Sequence, residues 1–120
     1  MVHPFRRAIE ARDLDAAVAL MREDVVFRSP VVFKPYHGRE AVRRLLEAVL
    51  AVFEDFRYVR EIGADGGHDH ALVFGDKQIE GCDFIQLDED GAISAFTVMV
   101  RPMSGMHALA EAMKAQLYNV

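Results

Sequence analysis

The hydrophobic pattern changes its period once, near the middle of the chain, and this change limits the possible folds more than any other feature. Before it, apolar residues recur at helical spacing and predict one helix of about four turns: Val42, Leu45, Leu46, Val49, Leu50 and Phe53. After it, Phe56, Tyr58 and Ile62 alternate with polar residues, as in a half-buried strand. Residues 65–67 (DGG) and 88–91 (DEDG) have the composition of hairpin turns. The pattern therefore predicts a long helix followed by an antiparallel sheet.

Shorter elements are predicted on both sides of this change. Two short helices, the second capped by Asp13, come first, and a final helix capped by Ser104 comes last. The predicted strands are 25–29, 56–62, 71–74, 78–87 and 92–101, the segment 31–36 is a predicted loop, and the final helix has an apolar stripe of Met106, Leu109, Ala110, Met113 and Leu117. No linker or repeat divides the chain, so residues 1–120 are expected to form a single domain.

One long helix cannot cover both faces of such a sheet. We therefore expect an α+β fold in which a strongly curved antiparallel sheet wraps around the N-terminal helices and the long helix, with a C-terminal helix added. Such a cone has an open end and leaves room for a pocket. The uncovered sheet face predicts a homodimer.

Composition excludes several classes of function. The chain has 14 Lys and Arg against 19 Asp and Glu, a net charge of -5, which argues against binding to nucleic acids or anionic membranes. No apolar run approaches the roughly 18 residues of a membrane span. The single cysteine, Cys82, cannot form an internal disulfide, and we expect a cytoplasmic protein. Nucleotide-binding glycine motifs are missing from the sequence, so no cofactor is expected.

Asp83 is the strongest candidate for chemistry. Alternation along 78–87 places it on the same face as Ile79, Ile85 and Leu87, so its carboxyl should point into the apolar interior. A buried carboxyl has a raised pKa and can act as a general acid or as a neutral hydrogen-bond donor. The alternative is a structural carboxylate that pairs with an arginine such as Arg101 or Arg28, or accepts from the backbone at a bulge near Gly81.

Histidines supply weaker candidates. His37 precedes the long helix and is the candidate base at the mouth of the pocket, since imidazole titrates near neutral pH. His68 and His70 share a strand face beside a hairpin turn but lack a third ligand nearby, so no metal site is predicted. The residues expected to line the pocket are largely aromatic or apolar: Phe5, Phe27, Ser29, Phe53, Tyr58, Ile85 and Phe96.

The order and spacing of five segments resemble the nuclear transport factor 2-like (NTF2-like) superfamily, and within it the SnoaL-like and ketosteroid-isomerase-like proteins. These segments are 13–18 (DLDAAV), 23–27 (EDVVF), 38–42 (GREAV), 81–84 (GCDF) and 87–93 (LDEDGAI). The resemblance covers essentially the whole chain. It implies a conical pocket and, commonly, a homodimer formed through the open sheet face.

The resemblance to ketosteroid isomerases also implies positions for their functional groups, which are a carboxylate base and an oxyanion hole of a tyrosine and a protonated aspartic acid. Laid on this chain, the base position falls on Ser29 and the tyrosine position on Phe5. Only the protonated-acid position matches, at Asp83. Serine is a poor base and phenylalanine donates no hydrogen bond, so the isomerase set is incomplete.

Three hypotheses about function follow. The first is a SnoaL-like protein that binds a small, largely apolar molecule. The second is an isomerase, cyclase or dehydratase acting on a ketone-like or polyketide-like substrate, with Asp83 as acid and His37 or another residue at the mouth as base. The third is a homodimeric adaptor that contacts its partner through the sheet face.

Overall fold

The computed structural model describes residues 3–53, 55–76 and 78–118, with side chains as far as residue 116. The predicted stripe residue Leu117 therefore lies outside the described side chains. The elements in chain order are α1 (Pro4–Glu10), α2 (Leu14–Ala19), β1 (Met21–Arg28), β2 (Tyr36–His37), α3 (Arg39–Val52), β3 (Arg57–Ile62), β4 (Asp69–Gly75), β5 (Glu80–Leu87), β6 (Ile93–Arg101) and α4 (Met103–Tyr118). The predicted α+β class is confirmed.

Six strands form one curved, unclosed sheet in the order β2-β1-β6-β5-β4-β3. The pairs predicted from hairpin turns and strand order, β3–β4, β4–β5 and β5–β6, are antiparallel. β1 and β6 pair in parallel, which differs from the all-antiparallel prediction. The reason is that turn residues indicate the pairing only of strands adjacent in sequence. β1 and β6 are separated in sequence by all the other strands.

The long helix α3 forms where its apolar period predicts it. Its buried face includes Val42, Leu45 and Leu46. Gly38 precedes it with φ 94°, a left-handed backbone conformation that favours glycine, and its N–H donates to the carbonyl of Val25 at 2.8 Å. This bond ties the start of α3 to β1.

Several boundaries differ from the prediction. The first strand, predicted over 25–29, runs from Met21 to Arg28, and residues 36–37 pair with β1 instead of remaining loop. Ser104 lies inside α4, which begins at Met103, so it does not cap that helix. Asp13 does cap α2, since its carboxylate accepts from the N–H of Ala16 at 3.0 Å.

β3 contains an irregularity that changes which side chains face inward. Its register with β4 shifts between Tyr58 and Arg60, so Val59 forms a bulge. The bulge reverses the alternation beyond it. Ile62, predicted to face the interior, is therefore 55% exposed, and Glu61 takes an inward position instead.

Helices α1 and α3 pack against the inner face of the sheet. The largest fully buried side chains come from all of these elements: Phe5, Met21, Val25, Val42, Leu72, Ile85, Ile93 and Phe96. Within the described part of the chain, no helix combines the length and apolar character needed to cross a bilayer.

Candidate functional site

A buried tyrosine and a buried aspartic acid form the polar centre of the inner sheet face. The Tyr58 hydroxyl donates a hydrogen bond to Oδ2 of Asp83 at 2.6 Å, and both residues are 5% exposed. Arg101 is instead paired with Glu80 at 2.5 Å on the outer surface, and Arg28 is exposed. The alternative of an arginine partner for Asp83 is therefore wrong. The partner is a neutral phenol on β3.

The sheet register explains how the two side chains meet. Tyr58 is opposite Phe74 on β4, and Asp83 of β5 is opposite Leu72 two residues along the same strand. Tyr58 therefore reaches diagonally across β4. Phe74 is opposite Gly81, where a Cβ atom would lie 2.5 Å from the Phe74 ring. Glycine at this position therefore leaves room for that ring beside the Tyr58–Asp83 pair, called the dyad below.

An aromatic cluster holds the tyrosine ring in place. The Tyr58 ring meets the ring of Phe56 edge to face at a centroid distance of 5.1 Å. Phe56 stacks on Phe74 at 5.0 Å, and Phe53 meets both of these phenylalanines edge to face. These contacts fix the direction of the hydroxyl towards Asp83.

The apolar surroundings determine the protonation states of the pair. Burial raises the pKa of Asp83 to about 7, and the hydrogen bond from Tyr58 opposes part of that rise. Burial, followed by the nearby Asp83 charge and the hydrogen bond to it, raises the pKa of Tyr58 well above its ordinary value. Near neutral pH, Tyr58 is thus a neutral hydrogen-bond donor. Asp83 accepts hydrogen bonds in its ionised form and can donate one in its protonated form.

The dyad borders a cavity of about 350 Å³. The cavity lies between the inner sheet face, α3, α4 and the segment 29–32. Its described lining is mostly aliphatic and aromatic, and the polar residues in it are Ser29, Tyr36, Tyr58, Asp83, Glu111 and Lys114. The Ser29 hydroxyl already accepts from the N–H of Val31 at 3.0 Å. An apolar cavity with a few convergent polar groups is the usual form of a small-molecule site.

The structure brings together six of the predicted site residues around this cavity: Asp83, Phe27, Ser29, Phe53, Tyr58 and Phe96. Phe5 and Ile85 are buried at 0% and 1% exposure but lie in the core behind that lining. Phe5 packs edge to face on Phe96 at 5.1 Å.

His37 does not lie with the other candidates. It is on the two-residue edge strand β2, opposite Val26, with an exposed side chain, and it does not line the cavity. Its proximity to α3 in sequence suggested a place at the mouth. The pairing of β2 with β1 places it elsewhere.

Sequence reasoning missed two contributions to the site. It placed Tyr58 in the pocket wall without joining it to Asp83, because the register across three strands decides that contact. It also omitted the α3 and α4 residues of the lining, such as Leu46, Val49, Ala110 and Met113. The apolar stripes of both helices contain these residues, but a stripe alone does not show whether it faces a packed core or a cavity.

Residues 2–96 match the family described as SnoaL-like domain. The chain belongs to this family. Its fold is that of the NTF2-like superfamily, which includes the ketosteroid-isomerase-like structures. A search of curated proteins finds no significant match.

Several solved structures of other proteins are similar to this chain. A steroid delta-isomerase from Pseudomonas aeruginosa is 43% identical, with a TM-score of 0.87 over 94% of this chain and 85% of that one. An uncharacterised bacterial protein with a cystatin-like fold from Silicibacter pomeroyi DSS-3 is 37% identical, with a TM-score of 0.87 over 94% and 82%. An NTF2-like protein of unknown function from Cytophaga hutchinsonii, 21% identical with a TM-score of 0.65 over 86% and 88%, shares the fold.

Proposed function

We propose that this SnoaL-like protein binds a small, largely apolar molecule whose oxygen atom hydrogen-bonds to Tyr58 and Asp83. The observation that carries the proposal is the buried hydrogen bond between these two side chains at the edge of a largely apolar cavity. A carboxyl group buried without a cation or a strong hydrogen-bond network is costly, and a ligand oxygen would supply a further partner. The Phe27, Phe53, Phe74 and Phe96 rings offer flat surfaces to an apolar ring system.

The dyad suits a ligand oxygen of either kind. With Asp83 protonated, its O–H donates to a carbonyl oxygen. With Asp83 ionised, its free Oδ1 accepts from a hydroxyl group while Oδ2 keeps the bond from Tyr58. Ketones and phenols of similar shape are therefore both within the proposed ligand class.

Binding of β-naphthol, which is flat, apolar and carries one hydroxyl group, tests the proposal. Its fluorescence in a titration with the protein gives the dissociation constant. We expect Asp83→Asn and Tyr58→Phe to weaken binding about tenfold each, the cost of one hydrogen bond in a buried site. Asp90→Asn, in the exposed β5–β6 turn, is the matched control and should leave the dissociation constant within about twofold of the native value. Equal effects at Asp83 and Asp90, or no binding to the native protein, would overturn the proposal.

A second candidate is proton-transfer catalysis on a ketone, in an isomerase, cyclase or dehydratase reaction with Asp83 as the acid. It is supported by the raised pKa of Asp83 and by the 43% identity to a protein called a steroid delta-isomerase. In such a reaction the electron pair left by removal of an α-proton moves to the carbonyl oxygen, where Asp83 and Tyr58 would stabilise it. Apart from Asp83, Glu111 supplies the carboxylate among the described lining residues that could receive the proton.

Isomerisation of a β,γ-unsaturated cyclohexenone to its conjugated isomer separates this candidate from simple binding. The conjugated product absorbs in the ultraviolet, so the rate is measured directly. Turnover that Asp83→Asn abolishes and Asp90→Asn preserves supports catalysis. Binding of β-naphthol without turnover of the enone supports the first proposal alone.

We further propose a homodimer formed through the outer sheet face. Four large apolar side chains on that side of the sheet are well exposed: Val59 at 60%, Ile62 at 55%, Phe84 at 43% and Met99 at 59%. A patch of this kind marks an interaction surface. Light scattering should give twice the chain mass of 13.5 kDa. Phe84→Glu should give monomers while Glu89→Gln, in the exposed turn, should not. A monomeric native protein would overturn the homodimer proposal.

A further inference from the structure

Helix α4 contributes a wall of the cavity that is distinct from the wall carrying the dyad. α4 packs on α3 and β6, whereas Tyr58 and Asp83 extend from β3 and β5. It also lies outside the segment 2–96 that matches the SnoaL-like family. Leu109, Ala110, Glu111, Met113 and Lys114 are its cavity-lining residues.

The α4 residues differ in how they meet the cavity. Leu109 is 6% exposed and anchors the helix in the core. Glu111 and Lys114 are exposed, so their charged groups reach water at the edge of the cavity. Ala110 and Met113 lie between these extremes and are half-buried. They are the partly buried members of the α4 lining.

The sizes of these two side chains decide the space available there. Ala110 presents a single methyl group, the smallest side chain of the α4 lining. Met113 is long, unbranched and flexible, so it can follow ligands of different shape. We propose that α4 determines the length of the ligand, with Ala110 and Met113 as the specificity-determining residues on a different element from the Tyr58–Asp83 pair. This inference rests on the proposed binding function and adds the dimension along which ligands are selected.

A pair of probes of different length tests the inference by calorimetry. Para-cresol and para-butylphenol carry the same hydroxyl group for the dyad but differ by three methylene groups, each worth about fourfold in affinity when buried. The native protein should prefer para-butylphenol. Ala110→Trp should lower the affinity for para-butylphenol at least about tenfold and change that for para-cresol less than about twofold. Ala108→Trp, the same change at an exposed position of α4, is the matched control and should change neither.

A second variant, which makes the side chain smaller, keeps the inference testable even if Ala110→Trp does not fold. Met113→Ala removes bulk, so it should weaken neither probe's hydroxyl contact and should favour para-butylphenol over para-cresol more than the native protein does. Unchanged selectivity in both variants, or equal losses for both probes, would overturn the inference. In that case binding of para-cresol that still depends on Tyr58 would leave the proposed function standing, whereas loss of that dependence would refute the function itself.

Discussion

The two faces of the sheet reverse the usual distribution of polar and apolar side chains at one strand. On β5, Asp83 points inward and is 5% exposed, while its neighbour Phe84 points outward and is 43% exposed. Burial of a carboxyl costs stability, and an exposed phenylalanine contributes little to the stability of an isolated domain. Both features support the contacts proposed above, with a ligand on the inner face and a second copy of the chain on the outer face.

The largest difference between the faces should appear in their phenylalanines. Phe96 is 1% exposed and stacks near Phe27, so Phe96→Ala should lower the free energy of unfolding by about 3–5 kcal/mol. Phe84→Ala should lower it by less than about 1 kcal/mol at protein concentrations too low for dimers. Urea denaturation of both variants measures the two values. Comparable losses would show that the outer face is packed within the monomer.

The carboxyl of the inner face should make stability depend on pH. Its pKa of about 7, compared with 3.8 for the ordinary group, means that the folded state holds the Asp83 proton more tightly than the unfolded state. Stability from this residue is therefore greatest below about pH 4 and is lost as the pH rises towards about 7 and beyond. Near pH 8, Asp83→Asn should be more stable than the native protein by about 2–4 kcal/mol, because the amide stays neutral.

Thermal unfolding of the native protein and Asp83→Asn across this pH range measures the effect. Asp90→Asn is the control, since its exposed side chain should leave the native pH profile in place. A stability difference between the Asp83 variant and the native protein that stays constant from acid to alkaline pH would contradict a raised pKa of Asp83 in the folded state.

Alternation along β5 was the strongest sequence signal, and its consequence is specific. A period of two puts Asp83 inside and Phe84 outside, which is how the structure places them. The same reasoning fails on β3, because the bulge at Val59 adds a residue that no turn composition announces. It moves Ile62 to the surface and Glu61 to the interior.

Long-range contacts could not be predicted in the same way. The Tyr58–Asp83 bond depends on the registers of β3, β4 and β5 together, and a sequence gives each strand's pattern without its register. The parallel pairing of β1 with β6 and the position of His37 on the edge strand have the same origin. Helix α3, with its four buried positions on one face, needed only local information and was predicted correctly.

The smallest effect is expected at the other outward neighbour of Asp83. Cys82 is half-buried on the outer face, opposite Val73 on one side and Met99 on the other. Cys82→Ser should change the free energy of unfolding by about 0.5 kcal/mol or less and leave β-naphthol affinity unchanged. Chemical denaturation and the fluorescence titration test both parts. A loss of affinity comparable to that of Asp83→Asn would mean that the two faces are not separate.

The most direct test of a buried Asp83 carboxyl at a ligand site is an NMR titration of the aspartate carboxyl carbons. The Asp83 signal is assigned by its loss in Asp83→Asn. We expect a midpoint near 7 for Asp83 and a change in its chemical shift when β-naphthol is added. A midpoint near that of an exposed aspartate, about 4, with no response to β-naphthol, would contradict a buried carboxyl at a ligand site.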